Sequence, residues 1–426
     1  MSFRTTVGLV FVLVALVANP WFLESFVVLD GAISGKSRIV VVEVVLAILG
    51  IALIVSGRRA AATPMPARTK LFASVAAGFA LVMSIVFAEV FLRLIVGPGI
   101  VLEGEKWSEH KWRARQMAKD GVAQEGPYDY DRFDPLLGWL PKRNYRSDAI
   151  QTNSQGIRSK REFTFERTPG TRRIVFVGDS YTWGERTWAR EITNEETFVS
   201  LIEERLPATE GLNMGVHGWG TDQQLIYLRQ LGLKFQPDIV VLGFFEADIT
   251  RNIANFFGYS KPYFELEGGE LVLKNTPIAT GDELLATPFE LPSFYLGSLI
   301  RKGMNIVLDR TTLRPIEGRR EWHVTRAIFE AARRDTEAAG AHFVLIDIPT
   351  HIRRRATPVE ATVAKWAADT GTHFVSLREH SIQLPRNEWA SVHDGHLTAR
   401  GHEETAKALM AYFQKAGLLE AGSEPR

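Results

Sequence analysis

From Arg172 onward the chain alternates near-continuous apolar runs with amphipathic segments, and few architectures satisfy that pattern. The stretches "RRIVFVGD", "PDIVVLGFF", "AHFVLIDIP" and "THFVSL" lack the alternation of a half-exposed strand, so they read as strands covered on both faces. "GLNMGV" adds a short strand. Between them, "NEETFVSLIEERL", "TDQQLIYLRQLGLKF", "REWHVTRAIFEAARRDTEAAG", "ATPVEATVAKWAADTG" and "TARGHEETAKALMAYFQKAG" carry apolar residues at helical spacing. Strand and helix in turn predict an α/β domain over 172–420, a parallel sheet between two helical layers. The alternation fails between about Ile253 and Arg319, where a hairpin, "YFELEGGELVLKN", precedes a helix starting near Pro292. That 253–319 insertion reads as a cap or a substrate-side excursion.

Residues 1–97 obey a different rule. Val7 to Leu29, Ile39 to Val55 and Leu71 to Val96 are long apolar runs, near the ~20 residues that match a bilayer. They predict a transmembrane region of about three helices. The second run is the shortest, and Asn19-Pro20 breaks the first, which a cleaved signal peptide over Met1–Ala18 would also explain. The loop "SGRRAAATPMPARTK" holds Arg58, Arg59, Arg68 and Lys70 and no acid, which places it in the cytoplasm. The expected location is therefore the cytoplasmic (inner) membrane, multi-pass, with everything after about Gly97 extracytoplasmic. Glu24, Glu43, Glu89 and Arg93 then fall in the outward halves of their helices. Glu89 and Arg93, four residues apart, share a face, as an ion pair near the interface or as a polar patch admitting an amphiphilic substrate.

Residues 98–171 are polar, weakly periodic and rich in Trp, Arg and Pro. They read as an irregular lead-in packed on the following domain, with a short hairpin near Ala149–Arg158. Trp107, Trp112 and Trp139 are packing residues or surfaces for sugar rings.

A net charge of +1 offers no basic surplus for nucleic acid, and the absence of cysteine excludes disulfides and thiolate chemistry. The chemistry has to come from elsewhere. In an open α/β sheet ligands bind at the carboxyl ends of strands, and Gly178-Asp179-Ser180 closes the first strand. Ser180 thus stands where a nucleophile is useful, although the Gly-x-Ser-x-Gly elbow is missing because Tyr181-Thr182 follow it. A serine nucleophile needs a base and an acid to orient it, and "HDGHLTARGH" offers Asp394 and His396 just before the last helix. His393, His396 and His402 lack an ordered acid ligand set, so no metal site is expected.

These residues resemble the blocks of the SGNH/GDSL hydrolase superfamily, from roughly Arg172 to Leu418, and specifically its bacterial membrane-anchored members. The Gly-Asp-Ser block is met by Gly178, Asp179 and Ser180. An Asn-x-Gly-x-x-Gly block is met by "NMGVHGWG", with Gly218 as the oxyanion glycine. The final block is met by Asp394 and His396, spaced Asp-x-His instead of the commoner Asp-x-x-His. The third block departs: "GFFEADITRN" puts Ala247 where the family has an Asn donor, followed by Asp248. Asn252 and His217 are the nearest substitutes.

The resemblance implies acyl transfer through a covalent ester, without metal or cofactor. Ser180 attacks, His396 takes the proton, Asp394 orients the imidazole, and the N–H groups of Ser180 and Gly218 hold the oxyanion. The expected activity is a membrane-anchored extracytoplasmic serine esterase removing acyl groups from cell-envelope glycans or lipid-linked carbohydrate. Two alternatives stay open: an O-acyltransferase using the same serine, and a non-catalytic glycan-binding or assembly protein on the same scaffold, which Ala247 favours.

Overall fold

The computed structural model of the protein describes residues 3–17, 36–60, 66–96, 115, 119, 128–286, 293–300, 316–349 and 356–419. The chain divides into two compact units: Met1–Trp112 with Phe289–Arg314, and Arg113–Pro288 with Pro315–Arg426.

The first unit contains helices α1 (Phe3–Val17), α2 (Lys36–Ala60) and α3 (Ala67–Phe91), the last followed by a π-helical turn, Leu92–Val96. Among the described residues one stretch, Val75–Leu94, is long and apolar enough to cross a membrane. The expectation of about three spans is supported for this one stretch. The apolar part of α2, Glu43–Gly57, extends ~22 Å at 1.5 Å per residue against a hydrocarbon core of ~30 Å. The first run continues beyond α1 into residues outside those described. Glu89 and Arg93 do pair, at 2.7 Å. Glu89 also accepts the N–H groups of Tyr295 and Leu296, both at 2.9 Å, and Arg93 donates to the Ser293 carbonyl at 2.8 Å. The 289–314 part of the insertion therefore belongs with the N-terminal helices, and residues 253–288 with the sheet.

The second unit opens with a hairpin, β1 (Asp131–Asp134) and β2 (Gly138–Pro141), where Phe133 faces Trp139. The hairpin expected near Ala149–Arg158 is a single bridge, Arg146 to Gln151. The turn signal that does make a hairpin is Asp134-Pro135: Asp134 Oδ1 accepts the N–H groups of Leu136 and Leu137, and Gly138 takes the left-handed φ of 87° that closes the loop.

Strands β3 (Arg172–Gly178), β4 (Thr209–Gly215) and β5 (Ile239–Phe244) follow. The insertion supplies β6 (Phe256–Phe257), β7 (Tyr259–Ser260) and the hairpin β8 (Tyr263–Glu267) with β9 (Glu270–Lys274). Strands β10 (His342–Asp347) and β11 (His373–Ser376) complete the set. The main sheet has the order β11-β10-β5-β3-β4 and is parallel throughout. The chain leaves β3 toward β4 and returns to its other side at β5, so the topological switch point lies at the end of β3.

The continuous apolar strands are explained by two cores. Val175 and Val177 of β3 pack with Leu225 and Leu228 of a helix over Thr221–Gln230, Ile328 of Arg320–Ala338 and Val363 of Pro358–Thr370. Ile174 and Phe176 pack on the opposite face with Phe198 and Ile202 of Phe198–Arg205 and Leu409 and Phe413 of Ala399–Lys415. Each fully buried side chain of this kind contributes about 1.5–3 kcal/mol, which fixes the register and hence where each strand ends.

Candidate active site

Strand β3 hands over to one short helical turn, Ser180–Trp183. Asp179 is its N-cap, accepting the Tyr181 N–H at 3.0 Å. The turn lies directly on the sheet. A Cβ on Gly178 would sit 1.9 Å from Thr182 Oγ1, and one on Gly215, at the end of β4, 2.3 Å from the Trp183 nitrogen. Those glycines are needed for room. The Gly-Asp-Ser sequence is thus one device: space for the turn, a cap for it, and a hydroxyl at its first residue.

Arg158 braces the far end of this turn. Its guanidinium, fully buried, donates to the carbonyls of Trp183 and Gly184 at 2.8 and 2.7 Å and stacks on the Trp183 ring. Burial pulls its pKa down to about 10, and nearby Glu185 opposes that fall.

The second partner arrives from the chain's other end. Ser391 N–H donates to the His396 carbonyl, Ala390 bridges Leu397, and Thr398 caps the helix Ala399–Lys415. This frame presents His396 Nε2 at 3.0 Å from Ser180 Oγ. Asp394 lies on the opposite side of the ring at 3.7 Å from Nδ1, and its Oδ1 accepts the His396 backbone N–H at 3.0 Å. Nδ1 is buried without a hydrogen-bond partner. The shortened Asp-x-His spacing explains both facts. One intervening residue, Gly395 at φ 77°, lets the carboxylate close a tight turn on its own histidine, at the cost of reach to the imidazole.

Gly218 follows β4, in the turn Val216–Trp219, where the Trp219 N–H reaches the Val216 carbonyl. Ala247 is the N-cap of a short helix, Asp248–Arg251, after β5. Of the substitute donors anticipated for Ala247, Asn252 is hydrogen-bonded elsewhere and His217 stands beside Asp131. Asn252 Nδ2 donates to Thr221 Oγ1 and Thr325 Oγ1 at 2.6 and 2.9 Å. His217 Nε2 lies 2.9 Å from Asp131 Oδ2.

Arg251 is the residue that sequence reasoning missed. Its Nη1 donates to Asp179 Oδ2 at 3.1 Å, Asp248 Oδ1 at 3.2 Å and the Trp219 carbonyl at 3.1 Å, joining all three strand-end loops. The guanidinium lies over the rings of Phe245 and Phe257. Burial raises the pKa of Asp179, an effect Arg251 opposes, and Asp248 is raised well above the carboxylate range by burial and by Asp179. One arginine shared by two buried acids leaves the cluster short of positive charge. An arginine one turn after Asp248, on a helix starting at a strand end, was the available sequence signal.

Trp139 is fully buried, which removes it as an exposed sugar platform; Trp107 and Trp112 lie outside the described residues. Trp188, 71% exposed, rests instead against His393, with ring centroids 4.6 Å apart. His402 sits on the last helix with Nδ1 accepting the Phe198 N–H at 3.3 Å, and burial depresses its pKa to about 3.

The sheet order and the flanking helices give the parallel α/β arrangement that the resemblance implied. No protein-family model and no curated protein matches the chain. Among solved structures it is similar to a lipase/acylhydrolase from Enterococcus faecalis, at 15% identity and a TM-score of 0.35 over 60% of this chain and 100% of that one. A GDSL-like lipase from Bacteroides thetaiotaomicron is similar at 12% identity and a TM-score of 0.33, over 59% and 91%. A catalytic mutant of an acetylxylan esterase from Geobacillus stearothermophilus is similar at 13% identity and 0.34, over 58% and 96%. Likeness of this degree says nothing of activity, which rests on the chain's own residues.

Proposed function

We propose that the protein is a serine ester hydrolase in which Ser180 is the nucleophile, His396 the general base and Asp394 the group that stabilises the imidazolium once it forms. The carrying observation is Ser180 Oγ at 3.0 Å from His396 Nε2, at the switch point of a parallel sheet. Attack of Oγ on an ester carbonyl transfers its proton to Nε2, and the N–H groups of Ser180 and Gly218 receive the negative charge. The same proton passes to the leaving alcohol. Water then repeats the sequence on the acyl-enzyme.

The substrate class we propose is an O-acylated glycan or lipid-linked carbohydrate outside the cytoplasmic membrane. Three features support it: the apolar helix Val75–Leu94, the basic stretch from Arg58 to Lys70, and the exposed Trp188 ring beside His393 in the histidine loop. Full-length protein in detergent should hydrolyse p-nitrophenyl acetate, and Ser180→Ala should remove that turnover. Turnover unchanged in Ser180→Ala overturns the assignment. For location, a reporter active only in the periplasm should work when fused after Arg426; a cytoplasmic readout contradicts the proposed topology.

A further inference from the structure

The turn Val216–Trp219 is tied down on three sides. Its first N–H, on Val216, donates to the Gly178 carbonyl at 3.0 Å, two residues before Ser180. The carbonyl of its last residue, Trp219, accepts from Arg251 Nη1, which also holds Asp179. The third tie comes from the hairpin ahead of the sheet. Trp139 Nε1 donates to the His217 carbonyl at 3.0 Å, and Asp131 Oδ2 stands 2.9 Å from His217 Nε2. Both hairpin residues are fully buried.

These contacts decide a specific ambiguity. A four-residue turn has two common forms, types I and II, that differ by a half-rotation of the central peptide, here His217–Gly218. Gly218 has φ 72° and His217 does not have a positive φ, which is the type II form. In a trans peptide the carbonyl and the N–H point in opposite directions. Holding the His217 carbonyl against Trp139 therefore aims the Gly218 N–H away from the hairpin, toward the side where the turn's two ends are fastened to the Ser180 loop. A type I turn would aim it back at Trp139.

We propose that Trp139 and Asp131 are positioning residues for the oxyanion hole, locking the His217–Gly218 peptide in the orientation that offers its N–H to the substrate oxygen. The lead-in hairpin is then a working part of the site. The inference rests on the esterase reading for its use of Gly218, and not for the lock itself.

His217–Gly218 is the only His-Gly pair in the sequence. Full-length protein labelled with carbonyl-13C histidine and 15N glycine gives one doubly labelled amide, that of Gly218, with no assignment required. Trp139→Phe keeps a ring and removes the donor; Asp131→Asn keeps the shape and removes the charge, covering the case in which the first variant does not fold. The expected result is a displaced or doubled Gly218 resonance in each. With p-nitrophenyl acetate, kcat should fall at least tenfold for Trp139→Phe and less for Asp131→Asn, with KM within about twofold. An unmoved resonance overturns the lock, whether or not the wild type hydrolyses esters. A displaced resonance with unchanged kcat overturns its role in the oxyanion hole. Absence of Ser180-dependent turnover in the wild type would count against the esterase reading and so against that role, while the resonance still decides the lock.

Discussion

The unit that holds Ser180 has two Asp–His pairs near its strand ends, and they are built oppositely. His217 and Asp131 are 4% and 0% exposed and stand 2.9 Å apart. His396 and Asp394 are 24% and 29% exposed and 3.7 Å apart. By closeness and burial alone the first pair would be taken for the functional one. The difference lies in what each histidine has to do. His217 holds a backbone turn, and a buried pair with little freedom does that well. Under the proposed mechanism His396 would accept a proton from Ser180 and release it to a leaving group, a role suited to a partly exposed ring with a carboxylate near enough to steady the charge when it appears.

The comparison breaks most readily at the histidines. His396→Ala should lower kcat/KM for a small ester by about 10⁴–10⁶-fold, close to the effect of Ser180→Ala, because nucleophile and base act as a unit. Steady-state kinetics on the two variants and their double would check this. A double variant much worse than either single one would show that the two do not act together. A smaller loss is expected for Asp394→Asn, about 10–150-fold, the worth of one charge-assisted hydrogen bond of about 1.5–3 kcal/mol formed only with the imidazolium. A loss as large as that of His396→Ala would mean that the 3.7 Å gap closes before reaction.

Ala247→Asn tests the opposite side of the site. The missing side-chain donor costs a serine hydrolase up to about 10²–10³-fold, and restoring it on a half-exposed cap should raise kcat by about tenfold. No gain would indicate that another donor already fills that position.

The smallest effect concerns a third acid, which is buried as Asp131 is but unpaired. Both oxygens of Asp347, at the end of β10, lack hydrogen-bond partners, and burial raises its pKa to about 8, with Glu360 adding to the rise. The folded state holds the proton between about pH 4 and 8 where the unfolded chain has released it, so this stabilisation is lost as pH rises through that window. Asp347→Asn should therefore gain stability relative to the wild type as pH rises from 5 to 8, with the difference levelling off above that. Melting curves across that range would show it. A constant difference would mean that Asp347 is ionised throughout.

The sheet and both core faces were legible in the sequence because burial on two sides leaves the strand centres near-continuously apolar, and these runs alternate with amphipathic helical segments. Ser180, Asp394 and His396 were legible because each sits at a strand end or before a helix. What holds them was hidden. Arg158, Trp139 and Asp131 act from a segment without periodicity, and their partners are 25 to 86 residues away, main-chain carbonyls included. Hydrogen bonds to backbone leave no trace in residue type at the accepting end. Arg251 was overlooked for a related reason: its meaning comes from three loops that meet only in the fold. Of the three apolar runs read in the sequence, one, Val75–Leu94, is long and apolar enough to cross a membrane among the described residues.

The central claim, that Ser180 is a nucleophile activated by His396, is tested most directly by covalent capture. Full-length protein exposed to a fluorophosphonate should gain the mass of one phosphonyl group, mapped by peptide mass spectrometry to the segment holding Ser180. The adduct should be missing in Ser180→Ala and form far more slowly in His396→Ala. An adduct that persists in Ser180→Ala, or a wild type that gains none, would contradict the account.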